Sequence, residues 1–162
     1  MIKITYIVDI SDLDKAWERI EKRTKYTIRK CGLDIIKSDD IERFDYMHWK
    51  TRPDRKIPEG YLEELYKDLK NEDRCQLYFT ETAGAFISWD KKRGYYLFGA
   101  RDKTRPDGSP SKILWKVMQD LNKWGFKEFD LCGANKQNIK FFKRGFGGRL
   151  TAQTKKHYIP QF

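Results

Sequence analysis

Three apolar runs that follow one another with no helical gap constrain this chain more than any other stretch. They are "CQLYFTET" from Cys75, "GAFISWDK" from Gly84 and "GYYLFGAR" from Gly94. Each is rich in aromatic and β-branched residues, and the separators Thr82–Gly84 and Lys91–Gly94 carry turn chemistry. Runs joined this tightly predict a meander of antiparallel strands.

On both sides of the meander the period of the apolar residues changes. The opening "KITYIVDI" reads as a strand. A helix with Ser11 as N-cap follows it, running toward Lys30 on Leu13, Ala16, Trp17, Ile20 and Ile28 and stopped by Gly32. "LDIIKS" reads as a short strand. The next helix starts at Ser38–Asp40, with Asp39 and Glu42 in capping spacing, and carries Phe44, Met47 and His48. "TRPDRKIPEG" breaks it, and Tyr61, Leu62, Leu65, Tyr66 and Leu69 form another helical stripe. After the meander, Ser109 caps a helix with Pro110 in its first turn. Its stripe is Ile113, Leu114, Val117, Met118, Leu121 and Trp124, and Gly125 ends it. "FKEFDLCGA" is the next strand, a helix spans about Asn135 to Arg144, and "GRLTAQTKKHYI" closes in strand-like sequence. Such an order predicts one α/β domain with a mixed, mostly antiparallel sheet flanked by helices.

Composition narrows the function classes. The chain has 162 residues, 39% hydrophobic and 36% charged, and no apolar run of membrane-span length. The N-terminus lacks the basic and apolar regions of a signal peptide, so a cytoplasmic protein is expected. Cys31, Cys75 and Cys132 are too scattered for a disulfide framework or a zinc site, and only His48 and His157 could add ligands, so no metal is expected. Lys and Arg number 34 against 24 Asp and Glu, a net charge of +10. That excess favours an anionic partner, although lysine interspersed with glutamate along helices also makes an ordinary solvated surface. From Lys136 onward, Lys140, Lys143, Arg144, Arg149, Lys155 and Lys156 meet no acidic residue in the sequence.

Several motifs in order carry a resemblance. "TKYTIRKCGLDIIKSDDIERF" is a basic helix end leading to a short strand and an acidic helix start. "YYLFGA" at Tyr95–Ala100 closes the meander, Gly125, Asp130 and Gly133 follow in "GFKEFDLCGA", and Phe142–Gly148 read "FKRGFGG". From about Lys22 onward the chain resembles the GNAT acyltransferases, and more closely their FemABX-like branch. The resemblance implies N-acyl transfer: an amine attacks an activated carbonyl through an oxyanion, and the donor is acetyl-CoA, another acyl-CoA or aminoacyl-tRNA.

For that reaction the resemblance implies Lys143 as the cation facing the developing negative charge, with Phe142 beside it as a stacking or packing partner. A lysine in the last turn of a helix also complements the helix dipole with no further role. The loop before the long helix would cradle the donor's phosphates with Arg105, Gly108, Ser109 and Ser111, although Pro110 has no N–H to offer. A Pro-Gly loop that merely caps a helix has the same residues. Where a thioester donor's enzyme would carry a tyrosine acid, this chain has Phe141. Glu81, at the end of "YFTET", is the candidate base. Asp130 reads as a structural hydrogen-bonder, and Cys132 as a small core residue.

Two other function classes fit. A non-catalytic RNA-binding module would use the charge and the aromatics Tyr95, Tyr96, Trp115 and Tyr158 for phosphates and bases. Half of a two-domain machine is the other, since the chain matches mainly the second domain of Fem-type enzymes; a cell-wall acceptor is then expected only if a homodimer or a partner replaces the missing half. The acceptor amine and the donor stay open between these readings.

Overall fold

The computed structural model describes residues 3–152; the expected roles of Lys155, Lys156, His157 and Tyr158 lie outside that span. Strand β1 (Ile4–Asp9) leads to α1 (Leu13–Arg19) and α2 (Lys22–Lys30), and then come β2 (Ile36–Ser38), α3 (Ile41–Thr51) and α4 (Tyr61–Asn71). The meander is β3 (Cys75–Phe79), β4 (Ala83–Trp89) and β5 (Gly94–Arg101), followed by α5 (Ser109–Lys123), β6 (Glu128–Asp130), α6 (Gln137–Arg144) and β7 (Arg149–Ala152). One seven-stranded sheet holds them in the order β2-β3-β4-β5-β6-β1-β7. Every adjacent pair is antiparallel except β5 and β6, which run parallel. The sheet is thus mixed and mostly antiparallel, as the meander predicts.

Helices cover both faces, so the central strands are apolar on both sides. On β3 the alternation is plain: Tyr78 enters the core shared with α5, while Leu77 and Phe79 enter the core under α3 and α4. The long helix α5 buries Ile113, Leu114, Val117, Met118 and Leu121 to 1% exposure or less. Each such side chain contributes about 1.5–3 kcal/mol relative to remaining exposed.

Local expectation and structure part at several points, some through a tertiary contact and some through a different local hydrogen bond. The first helix is two helices, because Ile20 is extended and the Glu21 N–H turns to the carbonyl of Gly145 at 2.9 Å. Ser11 does not cap α1; its hydroxyl goes to Asp9 at 2.6 Å, and Asp12 accepts from the Lys15 N–H instead. Asp40, not Asp39, caps α3, since Asp39 receives Tyr66 and Lys70. Helix α2 runs to Lys30 with Cys31 as its C-cap, so Gly32 stands just past its end, as the sequence reading has it. Between β3 and β4 the turn lies at Glu81–Thr82, with the Thr80 hydroxyl accepting from the N–H groups of Thr82 and Ala83; Ala83 and Gly84 are already strand. The cap of α5 is Gly108, with φ +82°, and Ser109 is inside the helix.

Candidate active site

The parallel pair β5–β6 opens soon after it starts. Only Gly94 and Tyr95 pair with Phe129 and Asp130. Strand β5 then continues to Arg101, while the chain beyond Asp130 leaves along β1, with the N–H groups of Leu131 and Ala134 bonded to the carbonyls of Tyr6 and Ile4. A split results between two strands of one sheet. At the same place β5 carries a bulge: Phe86 faces Phe98 and Ile87 faces Tyr96, leaving Leu97 as the extra residue. A bulge beside a site re-aims the side chains next to it.

Three of the sequence motifs meet in this split. From "FKRGFGG", Lys143 reaches in from the last turn of α6 and is 8% exposed. Its Nζ donates to the carbonyl of Cys132 and, at 2.8 Å, to that of Gly133, both from the motif that contains Asp130. From "YYLFGA" comes Tyr96, whose ring centroid is 5.4 Å from the Lys143 Nζ. A Cβ on Gly99 would fall 1.8 Å from the Tyr96 hydroxyl, so the glycine of that motif makes room for the ring.

The electrostatics follow from burial. Desolvation pushes the Lys143 ammonium down to about 8, opposed by Cys132 and Asp130 and aided by Arg52. Burial also lifts the Tyr96 phenol to about 12, against the pull of Arg52 and Arg101, so it stays protonated near neutrality. The Cys132 thiol is pushed well above its usual range by burial and by Asp130, which makes it a poor nucleophile. Asp130 is buried and accepts from the Thr5 hydroxyl at 2.5 Å and the Cys132 N–H at 2.8 Å, the structural part expected of it. Arg52 and Arg101 are exposed and bear on the Tyr96 phenol by their charge, and the hydroxyl of Thr51, the residue before Arg52, bonds the backbone N–H and C=O of Arg101.

The expected phosphate cradle forms a second cluster, at the N-terminus of α5, and it is filled from within. The Asp107 carboxylate accepts the Ser109 N–H at 3.0 Å and the Thr82 hydroxyl at 2.6 Å. Burial alone would raise its pKa, but these hydrogen bonds outweigh it and the carboxyl stays ionised below its ordinary value. Ser109 is fully buried, with Thr80 donating to its hydroxyl at 2.8 Å, and Ser111 is 7% exposed. Arg105 and Glu81 are both exposed and pair with each other at 3.3 Å.

Helix α2 joins the two clusters. A Cβ on Gly108 would meet Thr27 Cγ2 at 2.7 Å, and one on Gly145 would meet Thr24 Oγ1 at 2.2 Å. Thr24 and Thr27 are three residues apart on one helix face, where neighbours lie about 5–6 Å from each other. Of the three glycines after α6 only Gly147 needs a positive φ, at +75°; Gly145 is kept small by α2. Phe142 packs edge-on against Phe146 and into the core, while Phe141 is 51% exposed.

Some participants escape sequence reasoning. Tyr96, expected on the surface, is half-buried beside Lys143, and Tyr95 is 4% exposed with its hydroxyl on Asp90. Trp115 packs against Trp17. Asp107 had a readable signal, an Asp before a Gly at a helix start, which favours a local side-chain cap. The basic C-terminal stretch is partly neutralised from afar, Arg144 by Glu21 and Arg149 by Glu128. Among the described residues no group of His, Cys, Asp and Glu could hold a metal ion, and no helix is long and apolar enough to cross a membrane.

Comparison with known proteins agrees with this fold. The solved structure of FemX superposes with a TM-score of 0.82 at 13% identity, covering 93% of this chain and 60% of that one. A conserved protein of unknown function from Staphylococcus epidermidis gives 0.59 at 15% identity, covering 94% and 59%. L-PGS from Bacillus licheniformis gives 0.57 at 11% identity, covering 91% and 57%. These are likenesses of fold, and the chain spans about three fifths of each of those structures. A search of curated proteins by sequence finds no match. The family model described as acetyltransferase (GNAT) domain matches residues 8–144, and the chain belongs to that family.

Proposed function

We propose that the protein is an N-acyltransferase whose donor is an aminoacyl ester, as on a charged tRNA, and whose acceptor is an amine. The observation that carries the reading is Lys143, a buried ammonium held in the split between β5 and β6. In the proposed step the neutral amine attacks the ester carbonyl, and a C–N bond forms as the carbonyl oxygen becomes an oxyanion. The C–O bond to the ribose then breaks, the ribose leaves as a hydroxyl, and water takes the excess proton from the nitrogen. Lys143 has three N–H groups, and two carbonyls are its acceptors among the described residues, which leaves a donor for the oxyanion. Such a pre-positioned donor in a water-poor site is worth about 10²–10³ in rate.

Support for an ester over a CoA thioester comes from the α5 cluster. A diphosphate seated there would face the Asp107 carboxylate, find the Ser109 N–H engaged and meet no N–H on Pro110. Phe141 has no proton to give a departing thiolate; the ribose oxygen, the poorer leaving group of the two, takes its proton from solvent as it departs. The exposed Arg105–Glu81 pair is assigned no step.

The test is acyl transfer to a mixture of amines from acetyl-CoA and from charged tRNA, with Lys143→Ala in parallel. Transfer from charged tRNA that drops by two orders of magnitude or more in the variant is the expected result. CoA-dependent transfer that survives Lys143→Ala would refute the reading.

A further inference from the structure

Helix α2, "KRTKYTIRK", has five cations and no acid in nine residues. Its inner face is Thr24 and Ile28, both buried. Lys22, Tyr26, Arg29 and Lys30 are exposed, and their spacing of three and four residues puts them on one outward stripe. None of these three cations has a carboxylate partner among the described residues. Tyr26 is 63% exposed, with the Lys30 ammonium 5.4 Å from its ring centroid.

The stripe continues onto α6. The guanidinium of Arg23 lies 3.8 Å from the centroid of the Phe141 ring, that of Arg144 lies 5.3 Å from it, and Arg23 also donates to the Phe141 carbonyl at 2.5 Å. Exposed rings set among cations are the two elements of a single-strand nucleic-acid platform: phosphates meet the charges, and bases stack on the rings. A helix built to lie in a lipid surface needs a broad apolar stripe of Leu, Phe or Trp opposite its charges. The outward stripe of α2 has one tyrosine and no aliphatic residue.

We propose that the α2–α6 surface is an RNA-binding face that holds the body of the donor, with phosphates on Lys22, Arg29 and Lys30 and bases against Tyr26 and Phe141. This rests on the reading of the donor as a charged tRNA. Because α2 runs from the α5 cluster at Thr27 to the end of α6 at Thr24, RNA along it would lead its acylated end toward Lys143. The net charge of +10 supplies the long-range attraction.

The test is binding of fluorescently labelled, uncharged tRNA to the full chain over a range of salt. Lys22→Glu/Arg29→Glu/Lys30→Glu is expected to weaken binding at least tenfold. It should also flatten the slope of log affinity against log salt by about 2–3, the loss for three phosphate contacts. Tyr26→Ala should weaken binding about tenfold with the slope unchanged. Lys67→Glu, an exposed cation on α4, should do neither. Circular dichroism checks that each variant is folded. Unchanged affinity in the triple variant overturns the proposal. So does wild-type protein that binds phosphatidylglycerol vesicles but not tRNA, or that binds no tRNA at all. Transfer assays on the same variants separate the two readings. Tight tRNA binding through α2 without any transfer leaves the face and removes the enzyme. Transfer that ignores the α2 substitutions leaves the enzyme and removes the face.

Discussion

Replacing Lys143 with methionine should change how stability depends on pH, and the size of the change can be worked from the site. Burial lowers the lysine from 10.5 to about 8 in the folded protein. At about 1.36 kcal/mol per pKa unit, this penalises the charged form by about 3 kcal/mol relative to the unfolded chain. The folded pKa is the lower one, so between the two values the unfolded state binds more protons and stability rises with pH. Below about pH 8 the cost of the buried charge is fully present, and it is relieved as pH climbs toward 10.5. Methionine has a similar volume and no proton to lose, although it leaves the carbonyls of Cys132 and Gly133 without their donor, a cost of about 1–3 kcal/mol. That cost is the same at every pH. The measurement is urea unfolding of both proteins at pH 7 and at pH 10, compared as a difference of differences so that shared titrations cancel. Wild type should gain about 2–3 kcal/mol on the variant over that interval. A wild-type-minus-variant difference equal at the two pH values would refute the buried-ammonium argument. On the proposed mechanism activity should move the opposite way from stability, because as pH rises through about 8 Lys143 loses the charge assigned there to the oxyanion.

Gly108→Ala should cost about 2–3 kcal/mol in urea unfolding, from the left-handed backbone and the close approach of Thr27; a loss under about 0.5 kcal/mol would contradict the packing of α2 on α5. Asp120→Asn should cost about 1.5–3 kcal/mol near pH 7, because Asp120 accepts from Tyr78 at 2.8 Å and pairs with Lys37 and Lys116. Burial raises the Asp120 pKa but these partners lower it more, so the stabilisation is complete above the ordinary carboxylate value and fades as pH falls through the folded one. Unfolding curves at pH 7 and pH 3 check it, and a gap that does not narrow in acid would contradict it.

The motifs that meet in the candidate site are legible in the sequence, but their meeting is not. The lysine of "FKRGFGG", the tyrosines of "YYLFGA" and the Asp130–Gly133 stretch are separate strings in the sequence. Only the parting of β5 from β6 puts Lys143 beside Tyr96 and the carbonyls of Cys132 and Gly133. Tyr96 is a case in point, since an aromatic in a strand has no mark of which face it will occupy until a bulge at Leu97 sets its direction. The loop at Arg105–Ser111 has the residues of a phosphate cradle, yet Asp107 and Thr82 occupy its hydrogen-bonding groups.

What the sequence determined by itself was the set of elements. The meander, the stripe of α5, the break at "TRPDRKIPEG" and the order of strands and helices all rest on period and turn chemistry, which act over a few neighbouring residues. Tertiary structure decided what those elements do to one another. It put β1 between β6 and β7, bent the first helix at Glu21 through the carbonyl of Gly145, and gave Arg144 and Arg149 acidic partners more than a hundred and about twenty positions away. Local periodicity says which face of a segment is apolar, and it is silent about the distant segment that will cover it. Burial, and with it the lowered pKa of Lys143, exists only once that cover is in place.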